Sequence, residues 1–208
     1  RQVNVNVDTE FNPRKEYDGT ADVTVAAVAG ALTKTDLDDS GLVAGDTVTL
    51  GGTVTGKYYL DDKEDKTVGK NKYGVINFSG LHLEGADSGN YELNINNDQQ
   101  NKDISFKNGE ITPKALTLNA SKRLNKVYDG TNAIKGTAAD AIANLQVTGT
   151  IANDVVNVKG TNDAAVSYDD VNAGTRNLII NGLTLDGDAA KNYYLKDSNG
   201  KVLYDPTG

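Results

Sequence analysis

The sequence predicts a mainly β protein made of two tandem copies of one module, each of about a hundred residues. Three observations predict it. Four short blocks recur in the same order in the two halves of the chain. Apolar residues around those blocks alternate with the period of two that a strand requires. Gly, Asn and Asp stand where tight turns would join such strands.

The first block, Lys15-Glu16-Tyr17-Asp18-Gly19-Thr20, recurs as Lys126-Val127-Tyr128-Asp129-Gly130-Thr131. It reads as strand, turn, strand. Gly19 and Gly130 supply positive φ, Asp18 and Asp129 bond their own backbone two residues on, and Thr20 and Thr131 resume the strand. Tyr17 and Tyr128 are each expected to bury the ring beside the turn and to pair the hydroxyl. Stacking of those rings on a sugar is the functional alternative. The second block is Gly45-Asp46-Thr47-Val48-Thr49-Leu50, matched by Asn153-Asp154-Val155-Val156-Asn157-Val158.

The third block carries a finer signal. Ile76 and Phe78 alternate in one parity, and Leu81 and Leu83 continue in the other; Leu178, Ile180, Leu183 and Leu185 repeat the switch. A strand that changes parity would flip its apolar face unless an extra residue is inserted, so a β-bulge is expected at Gly80 and at Gly182. A fourth block, Asn90-Tyr91-Glu92-Leu93, returns as Asn192-Tyr193-Tyr194-Leu195 and opens the next strand. One segment departs from strand periodicity: Ala138, Ala141, Ile142 and Leu145 carry helical spacing, whereas the matching stretch from Val28 to Leu42 is less regular.

Ile111-Thr112-Pro113-Lys114 closes the first copy, which sets the modules at residues 1–114 and 115–208. Pro113 donates to no ladder and holds Thr112 extended, so a short, taut connection is expected. The architecture expected is two small sandwich-like β modules arranged end to end, with room for one short helix in each. A β-grasp-like α+β module is the alternative. The second copy reaches Gly208 without a counterpart of Ile111 to Lys114, and Asn96 to Gly109 reads as an insertion peculiar to the first copy.

Composition narrows the functions. With 29 acidic and 21 basic residues the net charge is −8, a field that repels polyanions, so nucleic acid is not an expected partner. The chain has no Cys, which removes disulfide staples and thiolate metal sites. No apolar run approaches the ~20 residues of a membrane span, so no membrane insertion is expected within this segment. The chain begins at Arg1 and contains no Met, as an excised or processed piece would.

Catalytic residues are not expected, and the chain does not read as an enzyme. His82 is the only His; it lies out of phase with Leu81 and Leu83 and has no second His or Cys to complete a nucleophilic or metal set. The one metal candidate is calcium. Asp36-Leu37-Asp38-Asp39-Ser40-Gly41 opens like a calcium loop, with oxygen ligands at Asp36, Asp38 and Ser40, but position twelve is Thr47 rather than a bidentate Glu. A solvated acidic loop is the simpler reading. Lys15 with Asn90, and Lys126 with Asn192, could supply an isopeptide cross-link, against the plainer reading of paired and exposed lysines. Tyr58-Tyr59 and Tyr193-Tyr194 are adjacent pairs, so in a strand one ring of each faces outward.

Taken together, the Lys-x-Tyr-Asp-Gly-Thr opening, the Gly-Asp-x-Val block, the block from Gly80 through Asn90-Tyr91 and the closing Ile-Thr-Pro-Lys resemble the YDG-type repeats of large bacterial exoproteins. Such modules are strung in series in filamentous-haemagglutinin-like, two-partner-secreted adhesins. The resemblance covers nearly the whole chain. Asn153 in place of the Gly before Asp154, and Asp188-Ala189 in place of the order Ala86-Asp87, are departures in loops. The resemblance implies an extracellular, secreted or surface-displayed protein. It also implies a stalk segment supporting cell adhesion or biofilm formation, with neighbouring repeats of the same chain as partners. A glycan-binding module, for a host or matrix glycan or protein, is the alternative.

Overall fold

The structure is a computed structural model that describes residues 1–7, 11–24, 32–34, 41–95, 102–120 and 123–208. It is mainly β, with several small sheets. The chain divides into two compact units, Arg1–Thr112 and Pro113–Gly208. Among the described residues no helix is long and apolar enough to cross a membrane.

In the first unit, β1 (Gln2–Val7) opens the chain, followed by β2 (Arg14–Glu16), β3 (Leu32–Lys34), β4 (Thr49–Gly52), β5 (Thr55–Leu60) and β6 (Lys63–Glu64). Then come β7 (Gly69–Asn77), β8 (Leu81–Glu84), β9 (Glu92–Ile95) and β10 (Asp103–Thr112). They form three sheets, ordered β3-β1-β9, β2-β10-β7-β5-β6 and β4-β8. β1 and β9 run parallel, Val3 beside Leu93 and Val5 beside Ile95. Val3 and Val5 are fully buried, and Val3 packs with Val48 and Tyr91. In the five-stranded sheet the inward residues Tyr58, Ile76, Phe106 and Ile111 are all buried, as is Phe78 just past the end of β7. Phe106 meets Tyr58 edge-on at 5.5 Å between ring centroids, a favoured aromatic geometry.

The second unit repeats the plan with fewer strands: β11 (Lys114–Ala120), β12 (Leu145–Thr148), β13 (Asn157–Tyr168), β14 (Leu178–Asp186), β15 (Tyr193–Lys196) and β16 (Val202–Tyr204). Its sheets are ordered β12-β11-β15-β16 and β13-β14. The parallel pair β11 and β15 corresponds to β1 and β9, with Leu116 and Leu195 side by side and fully buried. β13 spans what β4 and β5 divide between them, and β14 spans β7 and β8. The helical spacing seen in the sequence forms one short helix, α1 (Ala138–Ile142). Thr137 caps it in a reciprocal box with Asp140, and Ala141 and Ile142 are its buried face. Leu145 leaves the helix and opens β12 instead.

Three expectations change. The parity switch is a register shift in the second unit, where Gly182 faces the extra residues between Gly160 and Ala165. In the first unit the strand breaks instead: the Phe78 N–H donates to Lys102 O on the β10 side, Asn77 Oδ1 takes the Ser79 N–H, and β8 resumes in another sheet. The stretch Asn96 to Gly109 is not an insertion from Asp103 onward; those residues are most of β10. Finally, Tyr17 is 1 % exposed as expected, but Tyr128 is 61 % exposed. The cause is β10. It pairs in parallel with β2, and Thr112 O accepts the Tyr17 N–H at 2.9 Å. Nothing comparable lies over Tyr128 among the described residues.

Candidate functional site

The repeated six-residue block folds into the same polar clamp twice. In the first unit Asp18 Oδ1 accepts the Thr20 N–H at 2.9 Å, the Thr20 hydroxyl at 2.9 Å and the Lys15 ammonium at 2.7 Å. Lys15 also donates to Thr20 O at 2.8 Å. In the second unit Asp129 Oδ1 accepts the same three donors of Thr131 and Lys126 at 2.9, 2.8 and 2.6 Å, and Lys126 reaches Thr131 O at 2.7 Å. Gly19 and Gly130 stand at φ 82° and 76°, the left-handed turn that lets the carboxylate fold back on its own backbone.

Each Lys lies over a tyrosine ring, Lys15 Nζ 5.9 Å from the centroid of Tyr58 and Lys126 Nζ 6.0 Å from that of Tyr168. Each of those rings donates its hydroxyl to a residue just upstream of the block, Tyr58 to Pro13 O at 3.1 Å and Tyr168 to Leu124 O at 3.0 Å. The clamp sets the local electrostatics. Partial burial raises the Asp18 carboxyl, but the bonds from Lys15 and Thr20 outweigh it and leave it below the usual carboxylate range. At Asp129 the Lys126 ammonium and then Thr131 bring the carboxyl to about 2. Burial, then the Asp18 charge, pushes the Tyr58 phenol to about 12.

A second polar contact is also duplicated. Tyr91 donates its hydroxyl to Asp46 Oδ2 at 2.6 Å and accepts the Val43 N–H at 2.9 Å. Tyr193 does the same with Asp154 at 2.6 Å and the Ile151 N–H at 2.9 Å. This contact joins the second and fourth sequence blocks. Gly85 and Gly187 complete it: at φ 110° and 114° each lies so close to the next loop that a Cβ would stand 2.3 Å from the carbonyl oxygen of Thr47 or Val155.

Among the residues singled out from sequence, Tyr17, Asp18, Gly19 and Thr20 come together with Lys15, as do Asp129, Gly130 and Thr131 with Lys126. Tyr128 lies beside its clamp with its ring in the open. Gly80 packs its backbone against Thr53, and Gly182 marks the register shift. Asn90 and Asn192 end single 3₁₀ turns that deliver Tyr91 and Tyr193. Lys15 is buried rather than exposed, and its ammonium donors go to Asp18 and Thr20, so the isopeptide pairing has no support in the geometry. The calcium candidate, Asp36, Asp38 and Ser40, lies outside the described residues. Among the described residues no three of His, Cys, Asp and Glu are placed to hold a metal ion. His82 is an exposed strand residue paired with Glu84 at 3.0 Å.

Sequence reasoning missed Tyr58 with Tyr168 as one equivalent pair, and missed the Asp46 and Asp154 carboxylates as tyrosine acceptors. A signal existed: Tyr58 and Tyr168 are separated by nearly the same number of residues as Tyr17 and Tyr128. Of the adjacent tyrosines, Tyr58 and Tyr193 point inward, while Tyr59 and Tyr194 are half-exposed. Tyr59 lies 6.4 Å from Tyr73 at 51°, a tilted pair rather than a flat platform.

One concave feature stands out, in the second unit. A cavity of about 510 Å³ opens beside the exposed Tyr128, and Leu178, Ile180, Asp170, Asn172 and Arg176 are among the residues that line it. Arg176 is held by its own loop, donating to Asn172 O at 3.0 Å and Ala173 O at 3.2 Å.

The YDG domain family matches residues 1–100 and again residues 112–200. No curated protein and no solved structure matches the chain.

Proposed function

The chain belongs to the YDG domain family, and from that premise we propose that it is a repeat segment of a bacterial secreted or surface-displayed adhesin. It works as a non-enzymatic stalk that carries a binding tip away from the cell and so supports adhesion or biofilm formation. One observation supports this reading above the others. The module occurs twice, and a single residue, Pro113, separates the last strand of one from the first strand of the next. The repeated polar groups are spent on one another, as scaffold contacts would be. A clamp of charged Lys and ionised Asp offers no activated nucleophile.

The test has two parts. Antibodies raised against this segment should label intact cells, and purified segment on beads should fail to bind host cells. Deleting the segment from the full-length protein should then reduce adhesion while leaving binding by the isolated tip unchanged. Bead binding by the segment alone would overturn the spacer role.

The cavity beside Tyr128 supports a second reading, a glycan site. An exposed aromatic framed by Asp, Asn and Arg is the composition that sugar recognition uses. Saturable binding on a glycan array, lost in Tyr128→Ala, would favour it.

A further inference from the structure

In the first unit the site equivalent to that cavity is filled by a strand. β10 lies between β7 and β2, with Ile104 opposite Ile76, Phe106 opposite Gly74, and Ile111 beside both Gly69 and Lys15. This placement buries Tyr17, Ile76 and Phe78. In the second unit β14 pairs with β13 alone, and among the described residues no strand lies on its other edge. Asn125–Val127, the counterpart of β2, is not a strand. Val127 is 89 % exposed, and Tyr128 stands open over the cavity. Leu178 and Ile180, which take the places of Gly74 and the buried Ile76, line it.

We propose that the free edge of β14 and the Tyr128 cavity form a strand-accepting slot. Its occupant is a closing strand of this same module type, carried in cis on the C-terminal side of β15 as β10 is carried on the C-terminal side of β9. The strand runs antiparallel to β14, turns an apolar side chain onto Ile180 as Ile104 lies opposite Ile76, and ends in parallel beside Asn125–Val127, covering Tyr128. Its backbone satisfies an edge that otherwise invites pairing with foreign chains.

Leu178 adds a selection. It lies opposite Tyr168 as Gly74 lies opposite Tyr58, and the missing side chain of Gly74 makes room for Phe106: a Cβ there would be 2.0 Å from the Phe106 ring. The strand that fits the second unit therefore carries a small residue at the step facing Leu178. The inference stands on the comparison of the two units and is independent of the adhesin reading.

The probe is a peptide of residues 102–113 of this chain with Phe106→Ala, titrated into the full chain. Saturable binding is expected, with amide exchange at Asn177–Asn181 and at Tyr128 slowed at least about tenfold. The unaltered peptide should bind more weakly, and a scrambled peptide not at all. A second protein, with that same sequence appended after Gly208, should show the protection without peptide and should no longer bind it. Absence of binding by either peptide, or binding that leaves Asn177–Asn181 unprotected, overturns the slot. An appended strand that leaves the slot open to peptide overturns the cis source. Binding of an oligosaccharide at Tyr128 in place of the peptide assigns the cavity to a glycan instead.

Discussion

The same tyrosine serves two different environments. Tyr17 and Tyr128 hold equivalent places in the repeat, yet one is enclosed and the other is not. Tyr17→Ala should therefore cost about 3–5 kcal/mol in urea unfolding of the first unit, as large aromatic truncations in cores do. Tyr128→Ala should be close to neutral. Equal losses at both sites would show that Tyr128 is covered in solution. The clamp carboxylates give a second test. Asp18 and Asp129 are held below the ordinary value of 3.8 in the folded chain. A depressed folded-state value contributes stability that is complete above the unfolded value and is lost as pH falls through the folded one. The thermal midpoint should thus fall as pH drops from about 4 to about 2, the lower limit being the Asp129 value. Asp129→Asn should start lower and flatten that dependence; an unchanged slope would mean that the Lys126 clamp does not form.

At the level of turns and strands, the repeat preserves contacts more closely than it preserves elements. The two tyrosine–aspartate contacts have equal lengths, although β7 and β8 are separate strands in one unit and a single β14 in the other. The turn at Gly187 belongs to the fixed part. Gly187→Ala should be more damaging than Gly130→Ala. Both glycines adopt left-handed backbone, worth about 1–2 kcal/mol against any other residue. Only Gly187 also has a carbonyl oxygen 2.3 Å from the added Cβ, while Gly130 has open space. Denaturation midpoints of the two variants decide this, and equal shifts would show that the Val155 loop yields freely.

Across the whole molecule, the tandem plan, the strand periodicity, the Asp turns and the helix at Ala138 were legible because each depends on residues close in sequence. The partners of the repeated blocks were not. Tyr58 reaches Pro13 across 45 residues and Tyr91 reaches Asp46 across the same span, and no local pattern announces such a pairing. The misreading of Asn96 to Gly109 has a particular cause. Comparing one copy with the other treats whatever only one possesses as surplus, and here the segment present only once holds most of the first unit's closing strand. The exposed Tyr128 is the other side of that same difference.

The single residue between β10 and β11 has a mechanical consequence. A coil between modules would stretch before any folded structure felt a pull. Here tension leaving Lys114 passes through Pro113 and arrives at Thr112 without slack. It is met there by a strand bonded on both sides, to β7 and to β2. Ladder bonds loaded along a strand must give way together rather than one by one. The strand that finishes the fold of one module is thus also the anchor through which it would hold the next under load.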